Sequence, residues 1–178
     1  MTLTIEKATL ADEPTVRALY NEAIAWLAEQ GSDQWQPEAM KARKPVDRVM
    51  HEEIERGDVY LVREGGEPIG TFALDDYADP EFWTAEDGPD DGLYIHRMVV
   101  ARSAAGRDIG AAMIDWSADQ VARAGRKWLR LDAWITNTGL HDYYRRQGFE
   151  YVRTVNLPWR PSGALFQRPV VSAAAVNG

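Results

Sequence analysis

The chain has no cysteine, which removes disulfides, thiolate metal sites and cysteine nucleophiles at once. Histidine is scarce, and His51, His96 and His141 are too scattered to form a zinc motif, so no metal is expected. No apolar stretch approaches the roughly 20 residues of a membrane span. The first six residues, Met-Thr-Leu-Thr-Ile-Glu, do not follow the pattern of a secretory signal, and a cytoplasmic address is expected. Positive charge is in deficit: 20 Lys and Arg stand against 28 Asp and Glu, a formal net charge of -8. Nucleic acid and anionic membrane both require a basic surface, so neither is expected as a partner, whereas a cationic small molecule is compatible with this balance. Internal repeats and low-complexity runs are also lacking, apart from the Ala-rich end at 172–178, and residues 170–178 are expected to form a disordered tail.

What is present is ordinary for a soluble globular protein: 27% charged and 45% hydrophobic residues in 178 positions, read as one domain over 1–169 with a full core. Alternation over 3–8 predicts a first strand. Asp12 stands as an N-cap, with Glu13 and Pro14 in the first turn. Val16, Leu19, Tyr20, Ala23 and Leu27 then mark an amphipathic helix that stops near Gly31. After a loop at 31–37, a second helix is predicted over 46–56 through Val49, Met50 and Ile54. Strands over 59–63 and 69–74 flank Glu64-Gly65-Gly66-Glu67, a hairpin signal because a primed turn needs positive φ at its centre. The loop from 75 to 91 is long and acidic, holding Asp75, Asp76, Asp79, Glu81, Glu86, Asp87, Asp90 and Asp91 with Tyr77, Phe82 and Trp83 interleaved. It suits an ammonium ligand, through Coulomb and cation–π attraction, and a solvated excursion equally.

The stretch 93–149 organises the rest. A strand through Leu93, Ile95 and Val99 breaks into a small, basic, glycine-containing turn, which becomes a helix with Ile109, Ala112, Met113, Trp116 and Val121 on one face. Backbone N–H groups without intrahelical partners and the helix dipole suit such a turn to phosphate or pyrophosphate. Gly106 and Gly110 permit close approach, and Arg102 and Arg107 add charge. Neither a Walker loop nor a dinucleotide fingerprint is present, and on these residues alone an ordinary strand-to-helix turn fits as well. A strand follows over 128–134. Asn137 then caps or precedes a short helix through Leu140, Tyr143 and Tyr144 that ends at Gly148, and closing strands lie over 151–155 and 164–167.

The pattern as a whole resembles the GNAT superfamily of N-acetyltransferases. Met98-Val99-Val100, then 105–110, then Met113-Ile114 take the places of that family's strand, Q/R-x-x-G-x-G/A loop and helix. Asn137, Tyr143-Tyr144 and Gly148-Phe149 match the spacing of its closing motif. Two positions depart from it: Ala105 stands where Gln or Arg is usual, and Asp108 replaces the first glycine of the pair. The resemblance implies an α/β (α+β) fold, with a central mixed, mostly antiparallel sheet splayed at the cofactor site and about four flanking helices in the order β-α-α-β-β-β-α-β-α-β-β.

It also implies acetyl-CoA as acyl donor. The backbone of Met98, Val99 and Val100 would bond the pantetheine arm and thioester oxygen, with Gly106, Arg107, Gly110 and Ala111 around the pyrophosphate and Asn137 near the arm. In the family the first helix-loop-helix hangs over the acceptor pocket, which makes Trp26, Gln34 and Trp35 candidate substrate contacts, although core or edge packing suits both tryptophans equally. Tyr144 takes the place of the general-acid tyrosine, and Tyr143 is expected in the core. His96 is the leading base, its ordinary pKa of about 6.5 suiting neutral pH, while a structural histidine fits as well; Asp75, Asp76 and Tyr94 are the other groups able to hold or relay the proton. The expected activity is acetyl transfer to the primary amine of a small, cationic molecule by direct attack in a ternary complex, the enzyme being a monomer or homodimer. Acetylation of a protein amine or charged tRNA, and a non-catalytic acyl-CoA-binding module of the same fold, are the alternatives.

Overall fold

The computed structural model describes residues 2–171, so the tail expected at 170–178 lies, from 172 on, outside the described residues. The elements are β1 (Leu3–Lys7), α1 (Glu13–Glu29), α2 (Val46–Arg56), β2 (Val59–Glu64), β3 (Glu67–Asp75), β4 (Gly92–Val100), α3 (Ile109–Arg123), β5 (Trp128–Ala133), α4 (Thr138–Arg146), β6 (Glu150–Thr154) and β7 (Ala164–Pro169). Their order is the one expected from the sequence. The strands form a seven-stranded mixed sheet in the order β1-β2-β3-β4-β5-β7-β6. β1 and β2, β2 and β3, β5 and β7, and β6 and β7 pair antiparallel, whereas β4 and β5 are parallel.

Local chemistry explains most boundaries. Gly65 and Gly66 carry φ of 57° and 86°, the conformation that a two-residue primed hairpin between β2 and β3 requires. Asp12 departs from expectation. Its carboxylate accepts from the N–H and hydroxyl of Thr9, at 2.8 and 3.0 Å, and pairs with Arg63 at 3.1 Å. It therefore closes a 3-10 turn at Leu10–Asp12, and its side chain makes no cap bond to α1. A carboxylate three residues beyond a threonine can serve the turn before a helix as readily as the helix itself.

Two compact units divide the chain. One comprises residues up to Leu74 with Arg97–Met113, the other Asp75–His96 with the residues from Ile114 on, so that β4 and α3 each contribute to both. In the first unit, Val16, Leu19 and Tyr20 of α1 and Met50 and Ile54 of α2 pack with Val59, Leu61, Ala73 and Val99 of the sheet. At the surface Arg17 pairs with Asp47 at 3.3 Å and Glu13 with His51 at 2.9 Å, tying α2 to α1.

In the second unit Phe82, Trp83, Tyr94 and Leu165 form a core over which the acidic loop is folded. Half of that loop's eight carboxylates, Asp76, Asp79, Glu81 and Asp87, meet arginines of the same unit. Arg160 holds Asp79 and Glu81, both at 2.6 Å, while Arg153 holds Asp87 at 2.6 and 2.9 Å. Arg130, only 2% exposed, donates to the carbonyls of Asp87 and Gly88, the Tyr94 hydroxyl and Gln167. The loop is thus tied to its unit by ion pairs at Asp79, Glu81 and Asp87, while Asp76, Tyr77, Glu86 and Asp90 stay exposed.

Candidate active site

In the first unit β4 runs into the turn and α3. Residues 105–108 are exposed and Ile109 is buried, which anchors the helix start while leaving the turn open. Gly106 has φ of 75° with open space on its Cβ side, and Asp108 has φ of 57°. The motif's first glycine is therefore replaced at a backbone that needs positive φ, by a residue type that tolerates it better than most. The turn's charges are met by acidic and aromatic groups of the same unit. Arg107 is ion-paired with Glu64, whose carboxyl it holds below its ordinary range, and the Arg102 guanidinium lies 4.0 Å over the Trp26 ring. The Arg102 N–H donates to Glu22 at 3.1 Å. Exposed residues at 105–108 and two guanidinium groups at the start of a helix fit a phosphate-bearing ligand.

Upstream of the turn, β4 leaves regular geometry. Its register with β5 runs from Gly92 and Trp128 to Ile95 and Leu131, while β4 itself continues to Val100. Arg97, two residues past the last pair, has φ of 45°. Its guanidinium is ion-paired with Glu53 of α2, with the two side chains 21% and 9% exposed. Both line a cavity of about 10 Å³ with Tyr20, Met50 and Thr71, the room of a single water. Burial pushes the Tyr20 phenol up to about 12, against the pull of Arg97 and Arg43. The sequence reading missed Glu53 and Arg97. The available signal was a carboxylate four residues after Val49 and three after Met50, on the apolar stripe of α2.

In the second unit His96 Nε2 lies 3.0 Å from Asp75 Oδ1. Burial by itself would lower the His96 pKa, but the hydrogen bond and charge of Asp75, with Asp132 and Asp79 beyond, raise it above the ordinary histidine value. Asp76 is largely exposed and lies 3.6 Å from Arg126. Tyr94, expected to hold or relay a proton, is buried, with its hydroxyl donating to the Pro89 carbonyl at 2.8 Å and accepting from Arg130 at 3.2 Å, so it belongs to the loop framework. Of the tyrosine pair, Tyr144 is the buried one, near Phe149 and Phe166 at ring distances of 5.5 and 6.1 Å, while Tyr143 is half-buried, the reverse of the core position expected for Tyr143. Burial raises the Tyr144 phenol well above its ordinary value, which keeps it protonated. The Asn137 side chain accepts from Leu140 N–H at 3.1 Å and caps α4.

The remaining expected residues divide between the turn, its strand and the first-unit core. Val99 is buried with Met98 and Val100 half-buried beside it, and Gly110 and Ala111 lie in the first turn of α3. Gln34 is buried, and the Trp35 ring packs 4.9 Å from Tyr20. Among the described residues no group of three or more His, Asp or Glu could hold a metal ion, and no helix is long and apolar enough to cross a membrane.

The sequence profile of the Acetyltransferase (GNAT) family matches residues 20–149. The chain belongs to that family and is an N-acetyltransferase. It is 28% identical over 149 residues to the uncharacterized N-acetyltransferase YesJ of Bacillus subtilis (strain 168), covering 82% of this chain and 80% of that protein. An acetyltransferase of the GNAT family from Listeria monocytogenes 4b F2365 has the same fold, with a TM-score of 0.78, 23% identity and coverage of 94% and 95%. The PaiA N-acetyltransferase from Thermoplasma acidophilum, solved in complex with coenzyme A, follows at 0.72, 16% identity and coverage of 95% and 99%.

Two outcomes follow from this geometry. At Asp108 glycine relieves the left-handed backbone but loosens the unfolded chain, so Asp108→Gly should leave stability nearly unchanged, whereas Asp108→Ala should lose about 1 kcal/mol in urea unfolding. Equal stabilities would mean that φ at 108 is not positive in solution. At His96 the folded pKa is raised, so the stability it contributes is fully present below the unfolded value and is lost as pH rises through the folded one. Asp75→Asn should move the His96 titration, followed by NMR, to lower pH and remove that dependence; an unmoved midpoint would show that Asp75 is not the cause.

Proposed function

We propose that the protein is a cytoplasmic, acetyl-CoA-dependent N-acetyltransferase that modifies the primary amine of a small, cationic molecule by direct attack in a ternary complex. The observation that carries the reading is the exposed, arginine-bearing turn at 102–108 that opens α3. Coenzyme A bound to the PaiA relative of the same fold supports it. Gly106, Arg107, Gly110 and Ala111 would hold the pyrophosphate and the backbone of Met98, Val99 and Val100 the pantetheine arm, with Asn137, already committed to its cap, beside it. When bound, acetyl-CoA supplies the activated acetyl group.

The chain's own residues would manage the protons. An alkyl ammonium with pKa near ~10.4 is neutral in only about one molecule in a few thousand at pH 7, so a group must accept its proton. The Asp75 carboxylate can only accept, so His96 donates from Nε2 and leaves Nδ1 as the basic nitrogen. A raised pKa makes His96 a stronger base, whose neutral form grows as pH rises through that pKa. Tyr144 Oη would hold the proton that a departing sulfur needs. Support for a cationic acceptor comes from the net charge of -8. The arginine-bound carboxylates of the acidic loop add little to it, and neither do Trp26, stacked under Arg102, or Gln34 and Trp35, packed in the first unit.

Thermal melting with acetyl-CoA tests the cofactor. A ligand bound only by the native state adds about 2.7 kcal/mol at a hundredfold excess over Kd, so a clear rise in Tm is expected. No shift at millimolar ligand would sink the reading. With binding established, a panel of polyamines, amino acids and peptides should show preference for a cationic amine; preference for an anionic one would overturn the charge argument.

Tyr144→Phe should lower kcat about 10²-fold, the low end of general-acid assistance because a thiolate leaves readily, with acetyl-CoA affinity nearly unchanged. Tyr143→Phe, about 100° away around the helix, should be almost silent. Damage confined to Tyr143→Phe, or to neither, would mean that the acid is misplaced or unnecessary.

A further inference from the structure

Arg97 is neither glycine nor asparagine, yet its φ is 45°, on the strand whose backbone is assigned above to the pantetheine arm. A bulky residue stays in that region only where its surroundings over-determine it. One such constraint reaches it from α2: the Glu53 carboxylate, 9% exposed, ion-pairs the Arg97 guanidinium on the wall of the small cavity beneath Tyr20 and Met50. Glu53 is itself held. Its helix neighbours Met50 and Ile54 are 3% exposed in the core, and α2 is clamped to α1 through Asp47 and His51. The kink falls immediately before Met98, so its angle sets the direction in which the Met98, Val99 and Val100 amides point.

We propose that Glu53 is a positioning residue: by pairing with Arg97 it fixes the kink in β4 and so aims the backbone amides that bind acetyl-CoA. This rests on the cofactor assignment made under Proposed function. A charge pair on the apolar face of α2 adds little net stability over packed hydrophobic side chains, which leaves geometry as what it secures.

The experiment uses Glu53→Gln, Glu53→Ala and the double variant Glu53→Ala with Arg97→Gly, each verified as folded by circular dichroism. Because a misplacement of about 1 Å remote from the chemistry can lower rates ~100-fold, calorimetry should show acetyl-CoA bound about tenfold more weakly by Glu53→Ala and by an intermediate amount for Glu53→Gln. Glycine adopts positive φ unaided, so the double variant should recover most of the affinity although it lacks both charges. Unchanged affinity in both single variants, or a double variant weaker than Glu53→Ala, would overturn the proposal. So would a rise in the amine KM with an unchanged acetyl-CoA Kd, which would make the pair an acceptor contact.

A readout without ligand separates this from the cofactor reading. The ¹⁵N amide shifts of Met98, Val99 and Val100 should move in Glu53→Ala and return in the double variant even if acetyl-CoA proved not to bind. Unmoved amides would end the positioning role on their own. Should Glu53→Ala fail to fold, the Glu53→Gln and double variants still decide.

Discussion

A guanidinium has no neutral form to retreat to, so each one taken out of water must be met by oxygen atoms where it lies. Among the described residues, Arg97, Arg130, Arg153 and Arg160 show that constraint. Arg130, Arg153 and Arg160 draw the acidic loop over the core of the second unit, and Arg97 draws α2 towards a kinked strand in the first. Many of the carboxylates that make the chain acidic are therefore structural counter-ions. A net charge of -8 is a property of the whole chain, while the Asp79, Glu81 and Asp87 carboxylates present little of it to a ligand.

The same constraint separates what was legible in the sequence from what was not. Helices and strands announce themselves through local periodicity, so α2 at Val46–Arg56 and the β2–β3 hairpin, with its two positive-φ glycines, were readable from neighbours three or four residues apart. The turn between β4 and α3 was readable for the same reason, being a local strand-turn-helix signal reinforced by family spacing. Arginine partners are another matter. Arg97 meets a carboxylate 44 residues away and Arg153 one 66 residues away, and no periodicity encodes such choices among 28 acidic residues. Tyr143, expected in the core, is only half-buried, because the rings of Phe149 and Phe166 that cover its neighbour Tyr144 come from the approach to β6 and from β7, beyond the reach of local spacing.

The catalytic candidates inherit their properties from this architecture. Tyr144 stays protonated because aromatic rings exclude water from it, and His96 gains basicity because Asp75, unlike its neighbours along the loop, is bound to a histidine rather than an arginine. Had a guanidinium taken Asp75, its charge would have been neutralised by a permanent cation, and the imidazole would have lost the partner that favours its protonated form. The distribution of arginines along the second unit thus helps decide which carboxylate remains available to a titrating group.

Two residues outside glycine, one in β4 and one in the turn after it, have positive φ, and they solve the problem differently. Asp108 is short, polar and exposed, and its own side chain makes the left-handed region tolerable, so the substitution of the motif's glycine needs no help from elsewhere. Arg97 has a long side chain, and that side chain is held by a carboxylate supplied by a different helix. The first solution is autonomous and leaves the turn free to adjust to a ligand. The second makes the geometry of β4 depend on where α2 sits, so a shift of the helix that follows the 31–45 segment would be felt at the Met98 amide before any ligand touched it.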